Sequence, residues 1–186
     1  MNTPNKLTIA RVIITPFFMF AILSSIPHRF IIAALIFSIA AITDALDGKL
    51  ARKNNQITTF GKFLDPVADK MLTTAALLAF IQLDICSAWS VFIILTREFI
   101  ITSMRLISAA QNIVVPANIW GKIKTASQMA FTIIILLWGE LVDTWGFLRN
   151  DFHTVTNIMI WITAVLAAVS GIIYLIQAKK TIDFSK

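Results

Sequence analysis

Four aspartates crowd one short stretch of this chain. Asp44, Asp47, Asp65 and Asp69 lie within DALDGKLARKNNQITTFGKFLDPVADK, residues 44–70, although the whole protein has only ten acidic residues. Asp44, Asp47, Gly48 and Ala51 follow the spacing i, i+3, i+4, i+7, which is one face of a helix. Gly61, Asp65 and Asp69 follow i, i+4, i+8, again one face. The segment Lys53–Phe60 holds Asn-Asn-Gln, which suits a turn between antiparallel helices. Two such helices facing one another would form a four-carboxylate cage. Carboxylates so placed repel, and an unpaired charge at membrane depth costs at least roughly 2.5–3.5 kcal/mol. Arg52, Lys62 and Lys70 do not outnumber the acids, so divalent cations are the better counter-charge. Hard oxygen donors suit Mg²⁺ or Mn²⁺, and two such ions can clamp the attacking and leaving oxygens of a phosphoryl displacement. Gly48, Ala51 and Gly61 then leave room for the close approach of a bulky substrate. The plain alternative is a solvated cytoplasmic loop that happens to be acidic.

Arg97, Arg105, Lys122 and Lys124 form a second set. Arg97 and Arg105 interrupt an otherwise apolar stretch, and intramembrane charge is a functional-site hypothesis by default. Eight residues on a helix is about 80° of rotation, so both can look into one pocket. With Lys122, at the start of the next apolar stretch, they could bind a dianionic phosphate. Alternatives stay open: Arg97 could pair with Glu98, and Lys122 and Lys124 could anchor in lipid headgroups.

Both sets must be held by helices in a membrane. The chain has 186 residues, 58% hydrophobic and 14% charged, against roughly 25% charged in soluble domains. Six apolar stretches, near residues 7–24, 29–50, 61–83, 88–110, 119–138 and 155–178, read as transmembrane helices of a single all-α domain, with no repeat or long linker. The first is a retained helix rather than a signal peptide, and the residues before it begin as an interfacial segment. Six crossings put both termini on one side. Of sixteen Lys and Arg, only Arg29 and Arg149 fall on the opposite side, so the termini and the aspartate stretch face the cytoplasm. The net charge of +6 is explained by membrane lipids, with no call for nucleic acid. Cys86 is alone and reads as a packing residue, His28 and His153 show no ligand motif, and Glu140, Asp143 and Asp151 fall in an outer connector, residues 139–153, without assigned chemistry.

The spacing D-x2-D-G-x2-A-R-x8-G-x3-D-x3-D is present without departure, as Asp44, Asp47, Gly48, Ala51, Arg52, Gly61, Asp65 and Asp69. It resembles the signature of the CDP-alcohol phosphotransferase family. PNKLTIARVIITPFF, FLDPVADK, TREFIITSMR and GKIKTASQ resemble the branch of that family whose acceptor is glycerol 3-phosphate. The resemblance implies a six-helix transmembrane fold and transfer of a phosphatidyl group from CDP-diacylglycerol to an alcohol, with release of CMP. It implies one metal ion on Asp44, Asp47 and Asp65, a second on Asp44, Asp65 and Asp69, and Asp69 as the base. Gly48, Arg52, Thr58 and Gly61 would surround the CDP group, with Asn5 and Thr8 approaching the nucleotide. Arg97, Arg105 and Lys122, and less directly Lys124, would hold the acceptor phosphate. A homodimer in the bacterial inner membrane is implied as well. Another acceptor, such as inositol phosphate or serine, is the alternative within the family. A divalent-cation transporter is the alternative outside it, although Arg52 and the small residues have no role there.

Overall fold

The computed structural model describes residues 3–54, 59–111 and 118–181, with side chains described for 8–43, 67–68, 70–109, 111 and 118–179. Among the described residues six helices run in order: α1 (Thr3–Leu23), α2 (Arg29–Asn54), α3 (Thr59–Gln82), α4 (Ala88–Ala110), α5 (Ile119–Trp145) and α6 (Arg149–Thr181). The chain divides into two compact units, Met1–Ile85 with Thr132–Phe152, and Cys86–Phe131 with His153–Lys186.

In the first unit α1 packs against both α2 and α3. The buried residues of α2 and α3 include many small ones, among them Ala33, Ala34, Ala40, Ala75, Ala76 and Ala79. Small side chains let helix backbones approach closely, which is how membrane helices associate when lipid is as apolar as leucine. Phe18 and Phe37 fill the remaining space, with ring centroids 5.9 Å apart. In the second unit Ile101, Tyr174 and Ala178 form a buried cluster beside Met104.

Large apolar side chains lie on the exterior as well as in the core. Phe17, Phe20, Phe92, Phe99 and Ile172 are exposed, while Thr132, Thr156, Thr163 and Ser170 are buried. The buried hydroxyls are satisfied locally: Thr163 Oγ1 donates to Met159 O at 3.1 Å and Ser170 Oγ to Ala167 O at 3.1 Å. An apolar exterior of this extent marks a lipid-facing surface. Helices α5 and α6 are each long and apolar enough to cross a membrane. The apolar runs in α1, α2 and α3 are shorter, over residues 8–23, 29–43 and 70–82. Arg97, Glu98 and Arg105 interrupt α4.

Helix ends follow local chemistry. Ser87 caps α4, its hydroxyl accepting from Trp89 N–H at 3.2 Å, and Asn118 Oδ1 accepts from Gly121 N–H at 3.1 Å. Gly146 ends α5 in the left-handed region at φ 66°, which a glycine adopts without a steric penalty.

One expected boundary moves. The outer connector expected over residues 139–153 is mostly helical, since α5 runs on to Trp145 and α6 starts at Arg149. Acidic residues there suggested a loop. In the fold Glu140 and Asp143 stay on α5, where His28 and Arg29, at the start of α2, meet them. Arg29 Nε lies 3.4 Å from Asp143 Oδ2, and His28 Nδ1 lies 2.6 Å from Glu140 Oε1.

Candidate active site

The aspartates sit on uninterrupted helical backbone. Asp44, Asp47, Gly48, Ala51 and Arg52 belong to α2, and Gly61, Asp65 and Asp69 to α3. The helical period on which the spacing argument depends is therefore present through both segments. The side chains of these residues, and of Asn5 on α1, lie outside the described set, as does Thr58 altogether. Thr8 is on α1 and is buried. On the same helix Ala68 and Leu72, on either side of Asp69, are buried.

The opposite end of the same unit carries a different polar group. Glu140 is buried to 8% exposure and accepts from Ile31 N–H at 3.3 Å and Thr144 Oγ1–H at 3.0 Å, besides its contact with His28. A cavity of about 220 Å³ lies nearby, lined by Arg29, Phe30, Asp143 and Arg149 among others. Arg29 is fifteen residues before Asp44 on one helix, which is about 22 Å of axial rise. This cluster therefore belongs to the far end of α2 from the aspartates. The sequence carried a signal for it, two cations matched by acids in the outer connectors, but no reason to pair them.

The second unit holds the four candidate cations, and they divide. Arg97 Nη1 donates to Glu98 Oε1 at 2.8 Å, and Lys124 Nζ donates to the same oxygen at 2.6 Å. Lys124 is only 2% exposed, so its ammonium sits in the interior beside a carboxylate. A charge so buried is tolerable only when paired and hydrogen-bonded. Arg105 instead lies over the Tyr174 ring, its guanidinium carbon 5.9 Å from the centroid. Both Arg105 and Lys122 are exposed. The fold thus joins Arg97 and Lys124 through Glu98, a residue that sequence reasoning had named only as a competing partner for Arg97. An acid inside an apolar helix, next to one cation and facing another, is the signal that marks it.

Two glycines border Arg97. A Cβ at Gly121 would lie 3.2 Å from Arg97 Nη2, and a Cβ at Gly171 would lie 3.0 Å from Arg97 Cγ. Arg97 Nε and Asn118 Nδ2 are buried without a hydrogen-bond partner among the described residues.

Comparison with known proteins covers most of the chain. The family model described as CDP-alcohol phosphatidyltransferase matches residues 1–169. A Bacillus subtilis protein named CDP-diacylglycerol–glycerol-3-phosphate 3-phosphatidyltransferase is 40% identical over 182 residues, covering 91% of each chain. A Haemophilus influenzae protein of the same name is 39% identical over 183 residues, covering 96% of this chain and 94% of its own. Another, from Rickettsia felis, is 36% identical over 181 residues, covering 96% of each.

Proposed function

This chain belongs to the CDP-alcohol phosphatidyltransferase family, and from that premise we propose that it transfers the phosphatidyl group of CDP-diacylglycerol to glycerol 3-phosphate, giving phosphatidylglycerophosphate and CMP. The observation that carries the reading is identity along nearly the full length of relatives bearing that activity's name. The complete aspartate spacing supports it, since a transporter has no use for Arg52, Gly48 or Gly61.

Each residue set serves one part of the reaction. Arg52 offers a forked donor to the pyrophosphate, and Gly48, Ala51, Thr58 and Gly61, with Asn5 and Thr8 on α1, surround the CDP group. The donor set fits divalent cations: four carboxylates on two helical stretches supply the hard oxygens that Mg²⁺ and Mn²⁺ prefer. Asp44, Asp47 and Asp65 would hold one ion and Asp44, Asp65 and Asp69 the other, and the bound ions supply charge neutralisation at the pyrophosphate. Asp69 takes the proton of the glycerol 3-phosphate hydroxyl while its oxygen bonds to the lipid-side phosphorus and the bond to CMP breaks. An aspartate of ordinary basicity suits this role when the proton leaves late, after negative charge has been stabilised. Arg97, Arg105 and Lys122 bind the acceptor's phosphate, a group that serine, choline and ethanolamine lack.

All six helices cross the bilayer in this reading. The aspartates and both termini face the cytoplasm of a bacterial inner membrane, as the Lys and Arg distribution supports. The working form is a homodimer, the commonest symmetric assembly.

The test uses purified full-length protein with CDP-diacylglycerol, labelled glycerol 3-phosphate and Mg²⁺ or Mn²⁺. Labelled lipid and CMP should appear in equal amounts, and chelation should abolish both. Inositol phosphate and serine serve as rival acceptors. Absence of lipid product from glycerol 3-phosphate with either metal would overturn the proposal.

A further inference from the structure

The acceptor site raises a question that its four cations do not answer: what holds Arg97 in place. We propose that Glu98 is the positioning residue of the acceptor-phosphate site. It fixes the Arg97 guanidinium and balances buried Lys124, while Gly121 and Gly171 keep open the lane in which the Arg97 side chain lies. This inference rests on the acceptor reading above.

The geometry points this way on three counts. First, Glu98 engages Arg97 through Nη1 alone, at 2.8 Å. That leaves the Nε and Nη2 edge, two parallel N–H donors that match two oxygens of a phosphate. Nε is buried without a partner among the described residues, which is costly unless something accepts from it.

Second, Lys124 is 2% exposed and bonded to the same carboxylate oxygen at 2.6 Å. Its charge acts on the phosphate through Glu98 and Arg97, not by contact. Glu98 is the carboxylate that the two cations share. Without its charge, Arg97 and Lys124 would repel across it and the guanidinium would lose the contact that orients it.

Third, among the described residues Arg97 is the neighbour that a Cβ at either glycine would meet within 4 Å. A methyl group at Gly121 would press on Nη2 at 3.2 Å, and one at Gly171 would press on Cγ at 3.0 Å. Both contacts lie on the donor side chain itself.

The experiment measures initial rates for the full chain and for Glu98→Gln, Gly171→Ala, Lys124→Gln and the double variant Glu98→Gln with Lys124→Gln. Monodisperse elution in detergent confirms that each is folded. Glu98→Gln should raise KM for glycerol 3-phosphate about tenfold, with kcat and KM for CDP-diacylglycerol changed less than about twofold. Gly171→Ala, which alters no charge, should shift the same KM in the same direction. The double variant should lie closer to wild type than Glu98→Gln alone, because it also removes the cation that faces the altered side chain. A fall in kcat with both KM values unchanged, or a double variant worse than the product of its singles, would overturn the inference. So would an unchanged KM in Gly171→Ala.

Calorimetric binding of glycerol 3-phosphate and of inorganic phosphate to the same proteins separates the two readings. Lipid product from wild type with an unaltered KM in Glu98→Gln sinks this inference alone. Phosphate binding without lipid product sinks the transferase reading alone, provided Glu98→Gln weakens that binding. If Glu98→Gln leaves the binding unchanged, the positioning role falls too.

Discussion

Gly139 on α5 faces Phe30 on α2, and adding one methyl group there sets two known effects against each other. A Cβ at Gly139 would lie 2.8 Å from both Cδ1 and Cε1 of the ring and 3.1 Å from Cγ. Carbon atoms pack best at about 3.5–4.0 Å, so all three contacts are repulsive. The ring has little freedom to yield. Phe30 is 5% exposed, and the Arg29 guanidinium lies 4.9 Å from its centroid while reaching Asp143 at 3.4 Å. In favour of the substitution, alanine is better than glycine in a helix interior by roughly 0.8–1.0 kcal/mol. Against it, overpacking a closed site costs roughly 1–3 kcal/mol. Three short contacts with a buried ring place the cost near the top of that range, so Gly139→Ala should lose about 1–2 kcal/mol net. At roughly 2–4 °C per kcal/mol for a chain of this length, the unfolding midpoint should fall by about 2–8 °C. The measurement is thermal unfolding of the detergent-solubilised full chain, followed by tryptophan fluorescence. Adding Phe30→Leu to Gly139→Ala should recover part of the loss, so the double variant is more stable than the two singles sum to. A midpoint that stays level or rises in Gly139→Ala, or strict additivity in the double variant, would refute the packing argument.

Other perturbations give equally direct outcomes. Glu140→Ala strands the Ile31 and Thr144 donors and should cost about 1–3 kcal/mol in the same unfolding assay. Glu140→Gln should cost less, because an acceptor remains, and equal losses would show that the hydrogen bonds are not what matters. Asp69→Asn should lower kcat by about a hundredfold or more with the protein still folded, the usual contribution of a general base. Turnover close to wild type would remove Asp69 from that role. Burial pushes the Cys86 thiol up to about 12, well above its ordinary value of 9.0. The native protein should therefore resist maleimide between pH 7 and 9 and label only once unfolded, since the thiolate is the reactive species. Rapid labelling of folded protein would contradict the buried placement.

How much of this was legible beforehand varies with the kind of interaction. The six helices were readable because apolar runs and their breaks are local. The aspartate spacing was readable for the same reason: i, i+3, i+4 and i+7 need only a continuous helix, and α2 and α3 supply one. The end of α5 was misplaced because Glu140 and Asp143 look like loop residues until Arg29 and His28 are seen beside them. Those partners are more than one hundred residues away in sequence, 112 for the hydrogen bond from His28 to Glu140. The candidate acceptor cations were chosen by type, and whether each stands open or stands behind another was not readable. Arg105 rests on Tyr174, Lys122 is exposed, and Lys124 is enclosed against Glu98.

By itself the sequence determined a membrane chain and two helical segments whose carboxylates recur at helical spacing. These follow from composition and from period, which belong to single elements. Only the tertiary structure decided that Lys124 shares one carboxylate oxygen with Arg97 and that two glycines border the Arg97 side chain. Both depend on how far helices are rotated and how closely they approach. In a packed interior a single methyl group or an unpaired charge settles that, and neither leaves a periodic trace in the chain.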